Sequence, residues 1–258
     1  MMNTMDQPYL SVVIPSYNEQ KNISNGVINQ VFEYLKQQDY TWEVIFSDDG
    51  STDQTLELLS QYARDYQNAF LLRNIHAGKA PTVKSGMLEA RGKWRLFTDF
   101  DQSTPISEIT KLFKYAQEGY QVVIGSREIK GAQRDKEPLY RHVMGRGFNL
   151  LVQILAVPGI DDTQCGFKLF SAAACDKLFN SLKVYGEQKQ RQDAFTGAFD
   201  VELLYLARKS KYQIKEVPII WKHLQTNRVS PVKDSLRMLR DILKIRLADF
   251  QGAYRVQN

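Results

Sequence analysis

Three observations predict an α/β fold with a mainly parallel central sheet flanked by helices. Short apolar runs alternate with stretches of helical periodicity across residues 9–126, the pattern of successive βαβ units. The runs are nearly continuous in Val, Ile, Leu and Phe, as strands covered on both faces require. Two of them end in acids, Asp48-Asp49 and Asp99-x-Asp101, at the strand ends where open α/β sheets bind ligands.

Taken in order, residues 1–8 are polar and read as a flexible N-terminus, with one domain over 9–258. Residues 10–14 form a buried strand stopped by Pro15. Ile23, Val27, Ile28, Val31 and Leu35 predict a single helix over 22–38. A strand over 44–47 precedes a helix carrying Leu56, Leu59 and Tyr62, with Ser51 or Thr52 as its cap. A short strand at 70–72 leads to a helix over 79–90 that ends near Gly92. The strand at 96–98, the helix at 106–117 and the strand at 121–124 complete the regular half. Residues 128–138 carry six charges and read as a mobile loop. Helices over 139–155 and 201–207 and strands at 167–170 and 214–221 follow. The last strand tolerates Pro218 only at a sheet edge. A long helix spans Pro231–Phe250.

The chain of 258 residues is 43% hydrophobic and 24% charged, ordinary for a globular protein. Its net charge of +5 fits anionic ligands without choosing among them. Cys165 and Cys175 form no metal-binding pair and are expected as reduced thiols in a packed interior. No signal peptide and no apolar span of about 18 residues is recognised. The chain is therefore expected in the cytosol, touching a membrane from one side at most.

The acids carry the chemistry. Asp99 and Asp101 place hard oxygen ligands on one side of an extended segment, a set that suits Mg²⁺ or Mn²⁺ on a diphosphate. Ser103 is a further candidate ligand, alongside Gln102. Pro15, Tyr17 and Glu19 close the first strand; Asp48 and Asp49 close the second. Tyr17 is placed to stack on a base, and an Asp to accept the imide N–H of uracil. Lys79 follows Gly78 close to this site. Histidines 76, 142 and 223 are scattered and read as structural or surface groups.

In this order the motifs resemble the inverting glycosyltransferases of the GT-A fold, family 2. The match runs through residues 15–19, 48–53, Gly78-Lys79, 99–101 and Gly125 to Arg127. The second half looks like the dolichyl-phosphate β-glucosyltransferase family: residues 162–168 (Asp-Thr-Gln-Cys-Gly-Phe-Lys), 199–202, 216–218 with Trp221, and Ile245-Arg246 before Gly252. The resemblance implies glucose transfer from UDP-glucose to a polyprenyl phosphate in a membrane, with inversion. It implies Asp101, Asp162 and Arg127 as catalytic residues, Asp162 orienting or deprotonating the acceptor. Donor contacts would come from Pro15, Tyr17, Glu19, Asp48, Asp49, Lys79, Asp99 and Phe100. Arg127, Arg141 and Arg146 would hold the acceptor phosphate, Arg146 being equally readable as part of a solvated helix face.

Where the family carries a Ser-Lys pair after the late Trp, this chain has Asn227-Arg228. Arg228 and the nearby Lys233 are the candidates to reach the diphosphate. The nearest alternative donor is GDP-mannose; a different class is a non-catalytic nucleotide-sugar binding protein. No nucleic-acid partner is expected, and the oligomeric state stays open. The helix Pro231–Phe250, with Leu236, Leu239, Ile242, Leu243 and Leu247 largely on one face, reads as interfacial or as packed on the domain.

Overall fold

The computed structural model describes residues 7–135, 147, 149, 151–186, 197–222 and 231–254, without the side chains of 231–235. Its centre is a seven-stranded sheet in the order β3-β2-β1-β4-β7-β5-β8. The strands are β1 (Leu10–Ser16), β2 (Trp42–Asp48), β3 (Ala69–Arg73), β4 (Trp94–Thr98), β5 (Val122–Ser126), β7 (Phe167–Ser171) and β8 (Ile214–Pro218). Neighbours pair in parallel except β7, which runs antiparallel between β4 and β5. Pro218 sits on the edge strand, where its missing N–H costs no ladder bond.

Side-chain alternation splits the core across the sheet. Val13, Ile45 and Phe97 pack on one face; Val12, Ile14, Phe46 and Leu96 pack on the other. Burying each such side chain stabilises the fold by roughly 1.5–3 kcal/mol. The helices that cover these faces include α3 (Thr55–Asp65), α4 (Lys79–Glu89), α5 (Ile109–Gln117), α6 (Ala172–Ser181), α7 (Phe199–Lys209) and α8 (Pro231–Phe250).

Four sequence expectations are corrected. The helix predicted over 22–38 is two, α1 (Gln20–Ser24) and α2 (Val27–Lys36). Gly26 separates them at φ +75°, a conformation that favours glycine and that apolar periodicity does not register. Neither Ser51 nor Thr52 caps α3. Ser51 is drawn to Asp48, and Asp53 accepts from Thr55 N at 2.9 Å instead. The strand over 214–221 breaks after Pro218, and β9 (Ile220–Trp221) joins a separate two-stranded ladder. Its partner there is β6 (Gln133–Arg134), which lies inside the segment read as a mobile loop. Of the helix expected over 139–155, residues 147, 149 and 151–155 are described and helical.

Candidate active site

The parallel strands β1, β2 and β4 deliver their carboxyl ends to one rim. There the order β2-β1-β4 reverses the chain direction of the crossovers, as at the ligand crevice of other open α/β sheets. Asp48 and Asp49 lie at the end of β2, Tyr17 just past β1, Asp99 and Asp101 just past β4.

Asp99 and Asp101 are brought together, and Lys79 joins them from the first turn of α4. Lys79 Nζ donates to Asp99 Oδ1. Burial raises the Asp101 pKa, and the charge of Asp99 raises it further, against a partial offset from Ser103. Two like charges held this closely favour a cation between them. Ser103 N donates to Asp101 Oδ1 at 2.9 Å, fixing that carboxylate's direction. Gln102 adopts φ +51° and anchors its amide nitrogen on Thr98 and Asp99. Its buried Oε1 makes no hydrogen bond among the described residues, which leaves a buried acceptor beside the two acids. Among the described residues no three His, Cys, Asp or Glu side chains converge. Two carboxylates with further positions left to phosphate and water is the ligation Mg²⁺ usually takes.

Burial explains which predicted donor contacts the structure places elsewhere. Asp48 has no exposed surface, and its oxygens accept from Ser16 Oγ (2.9 Å), Ser51 N (2.8 Å) and Ser51 Oγ (2.6 Å). It braces the turn rather than facing a ligand. Asp49 is equally engaged: Ala77 N (2.8 Å), Gly78 N (3.1 Å) and Thr82 Oγ1 (2.9 Å) donate to Oδ1, and His76 Nδ1 lies 2.9 Å from Oδ2. An imide N–H would find no lone pair readily available there. Phe100 points into the hydrophobic core; residues 99–102 form a turn closed by Gln102 N donating to Asp99 O at 3.2 Å, which corrects the extended segment expected for Asp99-x-Asp101. Glu19 is buried at the start of α1 and accepts from Asn22 Nδ2 at 2.6 Å. Pro15 is half-buried within β1.

The group that sequence reasoning passed over is His76. Its ring stacks on Tyr17 with centroids 4.3 Å apart and planes 9° from parallel. Its Nδ1 faces two acceptors, the Asp49 carbonyl (3.1 Å) and Asp49 Oδ2 (2.9 Å). That arrangement puts a proton on Nδ1 and makes Nε2 an acceptor when the ring is neutral. Both rings are partly exposed at the rim. An isolated histidine in a sequence carries no signal of this kind; the nearby Asp49 carboxylate is what gives it an orientation.

A second cluster lies at the end of β5. Arg127 donates through Nε (2.7 Å) and Nη2 (2.8 Å) to both oxygens of Asp162, and its backbone N–H adds a third bond at 2.9 Å. Burial alone would raise the Asp162 pKa, but the Arg127 guanidinium outweighs it and holds the carboxyl below its ordinary value. Asp162 is thus an ionised anchor whose two oxygens are both engaged by Arg127. Glu216 fixes the anchor in turn, accepting from Asp161 N (2.8 Å) and Asp162 N (2.9 Å). Arg127 spends two of its five side-chain donors on Asp162 and lies 5.5 Å from the Trp221 ring centroid. Arg141, Arg146 and Arg228 lie outside the described residues, as do His142 and His223, while Lys233 is placed in α8 without its side chain.

The segment Asp162 to Lys168 joins the two clusters. Asp99 N donates to Gly166 O at 3.0 Å, and the Asp99 carboxylate packs so closely on Gly166 that a Cβ there would overlap all three carboxyl atoms. Lys168, fully buried, donates to Cys165 O and to Asp200 on α7. Asp200 also contributes to the field that keeps Lys79 charged: burial disfavours that charge, but Asp99, Asp200 and Asp101 together raise the Lys79 pKa. Cys165 and Cys175 are buried free thiols, each pushed up to about 12 by burial.

Comparison with known proteins agrees with this geometry. Residues 11–179 match the family model described as glycosyl transferase family 2. A dolichyl-phosphate β-glucosyltransferase of Trichomonas vaginalis is 36% identical over 93% of this chain and 73% of its own length. The human protein of that name is 34% identical over 96% and 78%, and the Saccharomyces cerevisiae one 33% over 97% and 78%. Among solved structures, a Mycobacterium tuberculosis glucosyl-3-phosphoglycerate synthase in complex with Mn²⁺, UDP and its glucosylated product aligns with TM-score 0.61. It is 17% identical over 97% of this chain and 81% of that one. A Pyrobaculum calidifontis mannosyltransferase with GDP-Man and Mn²⁺ aligns with TM-score 0.54, 16% identical over 98% and 77%. At such identities these neighbours speak for the GT-A fold alone. The strand-end acids, the sheet order and the matched sequence together place the chain in glycosyl transferase family 2, in the family of the dolichyl-phosphate β-glucosyltransferases.

Proposed function

We propose that the chain transfers glucose from UDP-glucose to a polyprenyl phosphate of dolichyl type, inverting the anomeric carbon. The observation that carries this reading is the pairing of two clusters on one rim: Asp99, Asp101 and Lys79 on the donor side, Arg127 held by Asp162 on the acceptor side. The single sheet joining the two halves supports treating residues 9–258 as one glycosyltransferase domain.

Asp99 and Asp101, with Ser103 and the Gln102 acceptor beside them, would hold Mg²⁺ or Mn²⁺. Bound there, the dication supplies charge neutralisation for the departing diphosphate. Lys79 adds a fixed positive charge at the same place. Tyr17 and His76 line the base site, where an Asp oxygen or His76 Nε2 would accept the uracil imide N–H. Arg228 and Lys233 would reach the diphosphate.

The acceptor phosphate has a second pKa of about 6, so at neutral pH it is already an anion able to attack. It needs orientation and neutralisation more than deprotonation. An Asp162 committed to Arg127 suits that chemistry, because it aims a guanidinium whose remaining donors match a phosphate. Arg141 and Arg146 would complete the cradle. Attack on the face opposite the leaving group in one displacement inverts the centre. The acceptor's lipid tail implies work at a membrane surface; among the described residues no helix is long and apolar enough to cross one.

The test is incubation of the chain with labelled UDP-glucose or GDP-mannose and a polyprenyl phosphate, with Mn²⁺ or with chelator. Metal-dependent formation of a lipid-linked β-glucoside is expected. Labelling from GDP-mannose alone would overturn the donor, and an α-linked product would overturn the inversion.

A further inference from the structure

We propose that the outward face of α8 docks on the surface of an anionic bilayer; this rests on the reading above that the acceptor is a lipid phosphate. Among the described residues four large apolar side chains of α8 are exposed: Leu236 (65%), Leu243 (53%), Leu247 (55%) and Phe250 (89%). At 100° per residue they fall within an arc of about 60° and run for about 21 Å. This stripe is not the packed face of the helix. Asp241, Ile242 and Ile245 form that face and are buried. The sequence expectation that Ile242 shares a side with Leu243 and Leu247 is thereby corrected. The helix has one face for the protein and a second, apolar one turned outward.

Charge says what the outward face fits. Arg240 and Lys244 are exposed along one margin of the stripe; Arg246, on the other, is exposed too but turns its guanidinium onto Tyr205, donating to Tyr205 Oη at 2.9 Å. The acids of the same helix whose side chains are described, Asp241 and Asp249, sit inward and are occupied. Asp241 accepts from Tyr185 Oη and Lys244, while Asp249 accepts from Tyr205 Oη and Lys209. An apolar strip bordered by cations, with these two carboxylates withdrawn, is the pattern of a helix lying in the headgroup region of an anionic leaflet. A second apolar pair, Leu151 and Ile154, is exposed on the helical segment that leads into Ala156 and Pro158. An open cavity lined by Ala156, Pro158, Tyr205 and Asp249 places that segment beside α8.

The surface is also wired to the acceptor cluster. Gln164, two residues from Asp162, donates to Met238 Sδ on α8 at 3.4 Å. Glu202 of α7 accepts from the backbone of Lys183, Val184 and Tyr185 and from Tyr254 Oη just beyond α8. Docking α8 therefore brings the Arg127–Asp162 pair to the bilayer at a fixed height, where a lipid-borne phosphate would meet it.

The full chain is tested by flotation with phosphatidylcholine vesicles and with phosphatidylcholine–phosphatidylglycerol vesicles. The wild type is expected to float with the anionic vesicles, less so at high salt. Leu243→Asp with Leu247→Asp should weaken binding at least tenfold with an unchanged melting temperature. A wild type that floats with neither vesicle overturns the proposal, as does a variant that floats equally well. So does a wild-type dimer in solution that the two substitutions dissociate, because the face would then belong to a second copy. Glucose transfer to a short, water-soluble isoprenyl phosphate is measured without vesicles in parallel. If neither protein transfers glucose while the flotation pattern holds, the acceptor reading fails and the docking surface stands. If docking is right, the variant keeps transfer to the soluble acceptor and loses it to a long-chain acceptor in vesicles.

Discussion

Replacing Gly166 by Ala separates catalytic geometry from stability. A methyl group at Gly166 would overlap Cγ, Oδ1 and Oδ2 of Asp99 together, whereas atoms in ordinary contact settle about 3.5 Å apart. The Asp99 carboxylate is the free end of a side chain that is 39% exposed, so it can withdraw without opening the core. It must move by about 1 Å or more, and a misplacement of that size in a reacting constellation costs roughly 100-fold. Withdrawal also pulls Asp99 off Lys79 Nζ, breaking the contact that orients both. We expect Gly166→Ala to lower kcat/KM for metal-dependent glucose transfer about 100-fold, with a melting temperature within about 3 °C of wild type. The assay is steady-state transfer with matched thermal unfolding. Activity within threefold of wild type in a folded variant would refute the placement of Asp99 in the donor site.

Two further substitutions probe the other elements of the rim. Asp162→Asn leaves the Arg127 guanidinium half-paired at a buried site, which should destabilise the protein by about 3 kcal/mol and lower transfer more than it weakens UDP binding. The Asp162 pKa is depressed on folding, so its stabilising charge is present above about pH 4 and lost as pH falls through the folded value. The gap in stability between wild type and variant, followed by denaturant titration, should therefore narrow in acid; a gap that widens would contradict the assignment. His76→Ala removes a stacked ring and one acceptor, together worth about 1.5–2 kcal/mol. The KM for UDP-glucose should rise 10- to 30-fold with kcat within threefold, and an unchanged KM would remove His76 from the base site.

The sheet, its helices and the acids at the strand ends were legible in the sequence because each is written in local pattern. Apolar runs marked the strands, and an acid following a run marked the rim. What failed to read were relations between distant positions. Nothing near Asp162 says that Arg127, 35 residues earlier, consumes both its oxygens. Asp48 and Asp49 look alike as a pair of free carboxylates; their hydroxyl and backbone partners come from residues 16, 51, 77, 78 and 82. Phe100 was misplaced for a simpler reason. The turn that Gln102 N closes on Asp99 O sends Phe100 into the core, and no local apolar pattern announces it. The outward face of α8 could not be chosen from periodicity, since leucines at helical spacing fit burial and exposure equally, and only the packing of Ile242 and Ile245 decides between them.

Asp101 and Asp99 are proposed to hold a dication against the donor's diphosphate. Calorimetric titration of UDP into the wild type and into Asp101→Asn, each with Mn²⁺ and with chelator, tests it most directly. Mn²⁺ is expected to tighten UDP binding at least tenfold in the wild type and to have almost no effect in the variant. Equal UDP affinity with and without metal in the wild type, or a metal effect that survives in the variant, would contradict the proposal.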